Sequence, residues 1–191
     1  MNKIALLGNC QTKALSWYIN RLPLNIDVRF ICMYAEFPNK TDGWCEDSYH
    51  RGEYISVITD LSKSIEFLKE ADFIIYQHIK PETTKYFNYM KIQEYKKQSC
   101  KLISISSFVY DEDSPETLIG MKERAIKFNI NIPAHKILET HSDVIKKLED
   151  KRHPNVYYLL EVVRQICKIA NWNFYNDINY NYYIKRGYPW G

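Results

Sequence analysis

The amino-acid sequence predicts an α/β fold: three layers, α/β/α, around a mainly parallel sheet of about four to five strands. Three observations predict it. Short apolar runs of strand length recur at Lys3–Leu7, Val28–Tyr34, Asp72–Tyr76 and Leu102–Ser106. Segments with helical apolar spacing separate them, as with Ala14, Leu15, Tyr18, Ile19 and Leu22. Polar residues follow the strand ends, as Gly8-Asn9 and Gln77-His78 do.

Taken in order, Lys3–Leu7 is a short buried-type strand and Thr12–Arg21 the first helix. Val28–Tyr34 is rich in β-formers and is the second strand. Glu36–Glu53 is polar and broken by Pro38, Gly43 and Gly52, which predicts a long surface excursion. Leu61–Glu70 reads as a helix and Asp72–Tyr76 as the third strand. Pro81 suits a first helical turn and predicts a helix running to about Gln98. Leu102–Ser106 is the fourth strand. Ser114-Pro115-Glu116 is a cap followed by proline at the first helical position. A short helix is expected over 142–148. The last helix spans Asn155–Ala170, with Val156, Leu159, Leu160, Val163, Ile166 and Cys167 on one face. At 191 residues the chain suits one domain, 1–191, ending in an aromatic tail over 172–191.

Composition narrows the function classes. Apolar residues are 46% and charged residues 26%, an ordinary soluble balance. A net charge of +3 without a basic stripe argues against a nucleic-acid partner. No apolar run is long enough to span a membrane, and the first residues lack a signal pattern, so a cytoplasmic protein is expected. The five cysteines are widely spaced and contain no C-x-x-C pair, which argues against a disulfide scaffold and a zinc ribbon. Cys32, Cys100 and Cys167 read as small core residues. Cys45, Glu46, Asp47 and His50 lack the spacing of a tetrahedral metal site, and no metal is expected.

In open parallel sheets ligands bind beyond the carboxyl ends of the strands. Cys10, Gln77, His78, Ser106 and Ser107 all follow predicted strand ends and therefore share one rim. Cys10 stands where a strand breaks into a helix, and a helix N-terminus favours thiolate and can stabilise an oxyanion. Gly8 would let the chain turn sharply there. A strand ended by Gly-Asn, with Cys10 merely packing, explains the turn equally well. Far along the chain stands Asp150-x-x-His153-Pro154. That spacing lets the carboxylate hold one imidazole nitrogen while the other faces a thiol. The plainer alternative is a helix-end acid beside a capping segment.

Gly8-Asn9-Cys10 after an apolar strand, with Asp150-x-x-His153-Pro154 before a C-terminal helix, resembles the frame of the SGNH/GDSL hydrolases. In that family a Gly-Asp-Ser turn supplies the nucleophile and Asp-x-x-His-Pro the acid and base. The chain departs from it in Asn9 and Cys10, and no Gly-x-Asn block follows the third strand. Gly8-Asn9-Cys10-Gln11 is similar instead to the WcbI-type polysaccharide biosynthesis proteins, whose first strand ends in Gly-Asn-Cys-Gln. The resemblance implies an SGNH-like fold and an acyltransferase that uses acetyl-coenzyme A to modify a sugar or polysaccharide precursor. By position it implies Cys10 as nucleophile or acyl acceptor, His153 as general base and Asp150 as its orienting acid; a direct transfer, with His153 activating the acceptor hydroxyl, is equally compatible with these residues. Gly8, Asn9, Gln11, Gln77 and His78 become oxyanion or substrate contacts. Lys13, Arg152, Ser106 and Ser107 become candidate cofactor contacts, with Lys146, Lys147 and Lys151 near Arg152. The expected partner is a glycan or other small-molecule acceptor. The aromatic tail offers packing, an acceptor groove or a homo-oligomer contact. Two alternatives stay open: a cysteine esterase or thioesterase with the same triad, and a non-catalytic nucleotide- or glycan-binding module.

Overall fold

β1 (Asn2–Gly8) lies at the centre of a five-stranded sheet. Its alternating side chains explain why. Ala5 and Leu7 face one side, Ile4 and Leu6 the other, and all four are fully buried. A strand apolar on both faces needs cover on both. After β1 come α1 (Cys10–Asn20), β2 (Ile26–Cys32), β3 (Ser48–His50), β4 (Glu53–Ile55), β5 (Val57–Ile58), α2 (Leu61–Glu70), β6 (Phe73–Gln77), α3 (Tyr89–Tyr95), β7 (Lys101–Ile105), α4 (Pro115–Lys127), α5 (Ala134–Thr140) and α6 (Val156–Ala170). The computed structural model describes residues 1–37, 48–50, 53–108, 115–140 and 154–172. The chain divides into two compact units, Met1–Ile103 and Ser104–Gly191, with β7 carrying it from one to the other.

The sheet order is β5-β2-β1-β6-β7. β1 is parallel to β2, pairing Gly8 with Cys32, and parallel to β6, pairing Leu7 with Tyr76. β2 is parallel to β5. The expected α/β fold with a mainly parallel sheet is therefore present. The connection β1-α1-β2 moves one way from the centre, and the connection through α2 to β6 moves the other. Right-handed crossovers in opposite directions place α1 and α2 on opposite faces. On the α2 face, Ala5, Leu7, Ile31, Ile74 and Tyr76 pack with Phe67 and Leu68 of α2 and Ile92 of α3.

Several elements differ from expectation. The helix expected from Pro81 to Gln98 is confined to Tyr89–Tyr95. Pro81–Asn88 is irregular because its backbone donors are taken elsewhere. Thr83 N–H donates to the Lys80 carbonyl, and the Glu36 carboxylate accepts from the N–H groups of Lys85 and Tyr86. Asn88 then caps α3, accepting from Met90 and Lys91. The excursion expected over 36–53 contains β3, which pairs antiparallel with β4. The short strand β5 and the helix α5 were not expected. The helix expected over 142–148 and the tail beyond Trp172 lie outside the described residues. Cys32 is not a plain core thiol: it is disulfide-bonded, whereas Cys10, Cys100 and Cys167 are not. No described helix is long and apolar enough to cross a membrane.

In the second unit, α6 begins at Asn155, whose side chain accepts the Tyr158 N–H at 3.0 Å. It ends at Asn171, in the left-handed region with φ 60°. Burial pushes the Cys167 thiol up to about 12, which makes it inert. Ser104 and Asn131 bind each other, and Ile105 bridges in parallel to Ile132.

One carboxylate ties the amino ends of three strands. Asp72 accepts the Lys3 N–H at 2.8 Å and the Lys97 ammonium at 2.6 Å. Its own N–H and carbonyl bond Lys3 and Lys101. The Lys97 bond, then the Lys3 N–H, hold the Asp72 carboxyl below the usual carboxylate range. A depressed folded pKa means a contribution present above the unfolded value and lost as pH falls through the folded one. Asp72→Asn should cost about 1 kcal/mol at neutral pH, discounted for partial exposure. The gap between wild-type and variant urea midpoints should close as the pH falls below the ordinary aspartate value of about 3.9 and on through the lower folded one. A gap unchanged in acid would show that the charge is not what contributes.

Candidate functional site

The chain leaves β1 toward β2 and later returns to β6 on the other side. The carboxyl ends of β1 and β6 thus flank a topological switch point, where open parallel sheets bind ligands. Gly8, Asn9 and Cys10 end β1 at this point, and Gln77 ends β6.

The Gln77 carboxamide joins the two ends. Its Oε1 accepts the Asn9 N–H at 2.7 Å. Its Nε2 donates to Gln11 Oε1 at 3.2 Å, in a buried contact. The backbone N–H can only donate, so it fixes which end of the Gln77 amide is oxygen. That in turn fixes the Gln11 amide. Gln77 therefore enters the site as a brace across the turn, its donor directed at Gln11. On the other side, Met33 N–H donates to the Gly8 carbonyl at 2.9 Å. The turn after β1 is thereby tied to both neighbouring strands.

Gly8 is needed for space, not for an unusual φ. A β-carbon there would lie 2.2 Å from Thr12 Oγ1 and 2.4 Å from Gln77 Oε1. Thr12 is fully buried, and its hydroxyl finds no hydrogen-bond partner among the described residues. Sequence reasoning missed Thr12. The only signal was a small hydroxyl four residues after the glycine, where one helical turn brings it back over the strand end.

Asn9 caps α1, its Oδ1 accepting the Gln11 N–H at 2.9 Å while its carbonyl accepts from Thr12 and Lys13 at 3.0 and 3.1 Å. Those three N–H groups are engaged by the cap. Cys10 is the first residue of this eleven-residue helix, half-buried and not disulfide-bonded. It sits where the helix dipole favours an anion, and no acidic side chain occupies the first turn.

The remaining expected residues distribute as follows. Lys13, in the first turn of α1, is buried at 8% exposure. His78 follows Gln77, is also buried, and stacks on Tyr89 with ring centres 4.7 Å apart. Ser106 and Ser107 follow β7 in the second unit, half-buried, and the Ser106 N–H donates to the Ile132 carbonyl at 3.1 Å. Asp150, Arg152 and His153 lie outside the described residues, as do Lys146, Lys147, Lys151, Cys45, Glu46 and Asp47. The structure thus brings together Gly8, Asn9, Cys10, Gln11 and Gln77.

In comparisons with known proteins, no family model, no characterised protein and no solved structure matches the chain.

If the brace holds the turn, two substitutions should weaken it by different routes. Gln77→Leu removes the acceptor of the Asn9 N–H and the Gln77 donor to Gln11 Oε1, and should cost about 1–3 kcal/mol. Gly8→Ala pushes a methyl into Thr12 and Gln77 and should cost about 1–3 kcal/mol. Because both act on one contact, the double variant should lose less than the sum. Urea unfolding measures all three, and a Gln77→Leu midpoint equal to wild type would remove the brace.

Proposed function

We propose that the protein is an SGNH-like, coenzyme A-dependent acyltransferase, with Cys10, His153 and Asp150 as its reacting set and a sugar hydroxyl as acceptor. One observation carries the proposal: a half-buried cysteine that is not disulfide-bonded opens α1 at the switch point of a parallel sheet, on a turn braced by Gln77. A nucleophile needs a fixed position and a stabilised anionic form. The brace supplies the first and the helix N-terminus the second.

In the proposed reaction His153 takes the Cys10 proton, oriented by Asp150. The thiolate attacks the thioester carbonyl of acetyl-coenzyme A. Collapse of the tetrahedral intermediate breaks the carbon–sulfur bond to coenzyme A, whose thiolate takes the proton from His153. One thioester replaces another, so this half-reaction is nearly thermoneutral. His153 then accepts the proton of a sugar hydroxyl, whose oxygen attacks the Cys10 thioester. The oxygen ester forms, Cys10 leaves as thiolate, and the imidazolium returns the proton. The second half-reaction runs downhill, because an oxygen ester is more stable than a thioester.

Incubation with acetyl-coenzyme A should place one acetyl group on Cys10, detected by mass spectrometry of the peptide. Cys10→Ala should abolish the label. His153→Ala should slow labelling by about a hundredfold or more. Absence of coenzyme A binding would sink the proposal, and steady release of free acetate would replace transfer by hydrolysis.

A further inference from the structure

The first unit holds a cavity of about 510 Å3, whose lining includes Glu36, Phe37, Glu82, Thr84, Lys85 and Tyr86. It lies within the range of small-molecule sites, roughly 300–1,000 Å3. Its walls are the segment that follows β2 and the segment that follows β6, the strands on either side of β1. It therefore opens on the same carboxyl rim as Cys10.

Both walls are fastened to the Cys10 turn. The β2 side is held by the Met33 N–H on the Gly8 carbonyl, with Glu36 following shortly after. The β6 side runs from Gln77, which holds Asn9, to His78, whose ring stacks on Tyr89 next to the cavity wall. The Tyr89 N–H also returns to the Ile79 carbonyl at 3.2 Å. Glu36 closes the ring between the walls, since its carboxylate accepts the Lys85 N–H at 3.0 and 3.1 Å and the Tyr86 N–H at 2.9 Å.

The lining selects a ligand class. Glu36 and Glu82 oppose one cation, Lys85, whose ammonium already stands over the Tyr86 ring at 5.1 Å. Glu82 is itself paired with Lys80 at 3.8 Å. With Glu82 held by Lys80 and Lys85 over Tyr86, the lining has no cationic excess to bind a polyphosphate, so the phosphates of a nucleotide-bearing acyl donor do not belong here. What remains is a carboxylate with acceptor capacity, hydroxyl groups and two aromatic side chains. Carboxylate, hydroxyl and aromatic faces together suit a neutral ring that is polar at its edge and apolar on its faces.

We infer that this cavity is a saccharide subsite that takes a neutral pyranose, with Glu36 binding ring hydroxyls and Phe37 offering an apolar face. Its role as the acceptor subsite rests on the acyl-transfer reading above. Its existence as a saccharide site does not.

The test is an amide NMR titration of the full chain. The probes are methyl α-D-glucopyranoside, methyl α-D-mannopyranoside, methyl α-D-galactopyranoside and N-acetylglucosamine, with coenzyme A titrated separately. At least one sugar should produce saturable shifts at the amides of Phe37, Lys85 and Tyr86. Glu36→Gln should weaken that binding by about tenfold, the loss of a charge-assisted hydrogen bond. Phe37→Ala should weaken it without moving the signals of Leu6 or Ile75, which report on the fold. No shift at Phe37, Lys85 and Tyr86 with any of the four sugars overturns the inference, as does sugar binding undiminished in both variants. Sugar shifts without coenzyme A binding keep the subsite and sink acyl transfer. Coenzyme A shifts near Cys10 without sugar shifts do the reverse.

Discussion

The Gln77 carboxamide is the contact on which the rest of the candidate site depends. It holds residues separated by 68 positions, and each of its two ends has a different task. The oxygen satisfies the Asn9 N–H, a half-buried donor at the end of a strand. The nitrogen satisfies Gln11 and sets how that amide is turned. A methyl group on Gly8 would collide with this oxygen and with Thr12. Close approach of strand end, helix start and neighbouring strand therefore requires glycine at position 8, a capping residue at position 9 and an amide at position 77 together.

The brace lies at the carboxyl ends of the central strands, and the topology explains its position. β1 has parallel neighbours on both sides, and the connections to them cross opposite faces. The loops after β1 and β6 must then diverge and leave a crevice. The amino ends of the same strands are secured by Asp72, which binds the backbone of Lys3 and the side chain of Lys97. Each end of the sheet thus has its own polar clamp. Between the clamps, Ile4, Ala5, Leu6 and Leu7 make up a stretch of strand with no exposed surface. Such a strand offers a rigid base from which Cys10 projects into the first turn of α1.

Much of this was legible in the sequence, where the signal is local. The apolar runs gave β1, β2, β6 and β7 to within a few residues, because a strand buried on both faces must be continuously apolar. Asn155 marked the start of α6 and Pro115 the start of α4 through the chemistry of helix ends. The α3 boundary was misread because proline suits a first helical turn but does not compel one. The Glu36 carboxylate, 49 positions from Lys85, takes the backbone donors of the supposed helix start. β5 and the β3–β4 pair are too short for periodicity to register. Cys32 carried no mark of its disulfide, since cysteine spacing does not encode spatial proximity.

The sequence by itself determined the α/β class, the order of the main elements and the Gly8-Asn9-Cys10-Gln11 turn, because strand burial and helix capping depend on residues adjacent in the chain. Only the tertiary structure decided that Gln77 braces that turn, that Gly8 is required for closeness of approach, and that Glu36 joins the segments following β2 and β6. The Gln77–Asn9 and Glu36–Lys85 contacts span 68 and 49 positions. They exist because parallel pairing sets the ends of β2, β1 and β6 side by side, and distances between non-adjacent residues are set by packing of the sheet, not by sequence spacing.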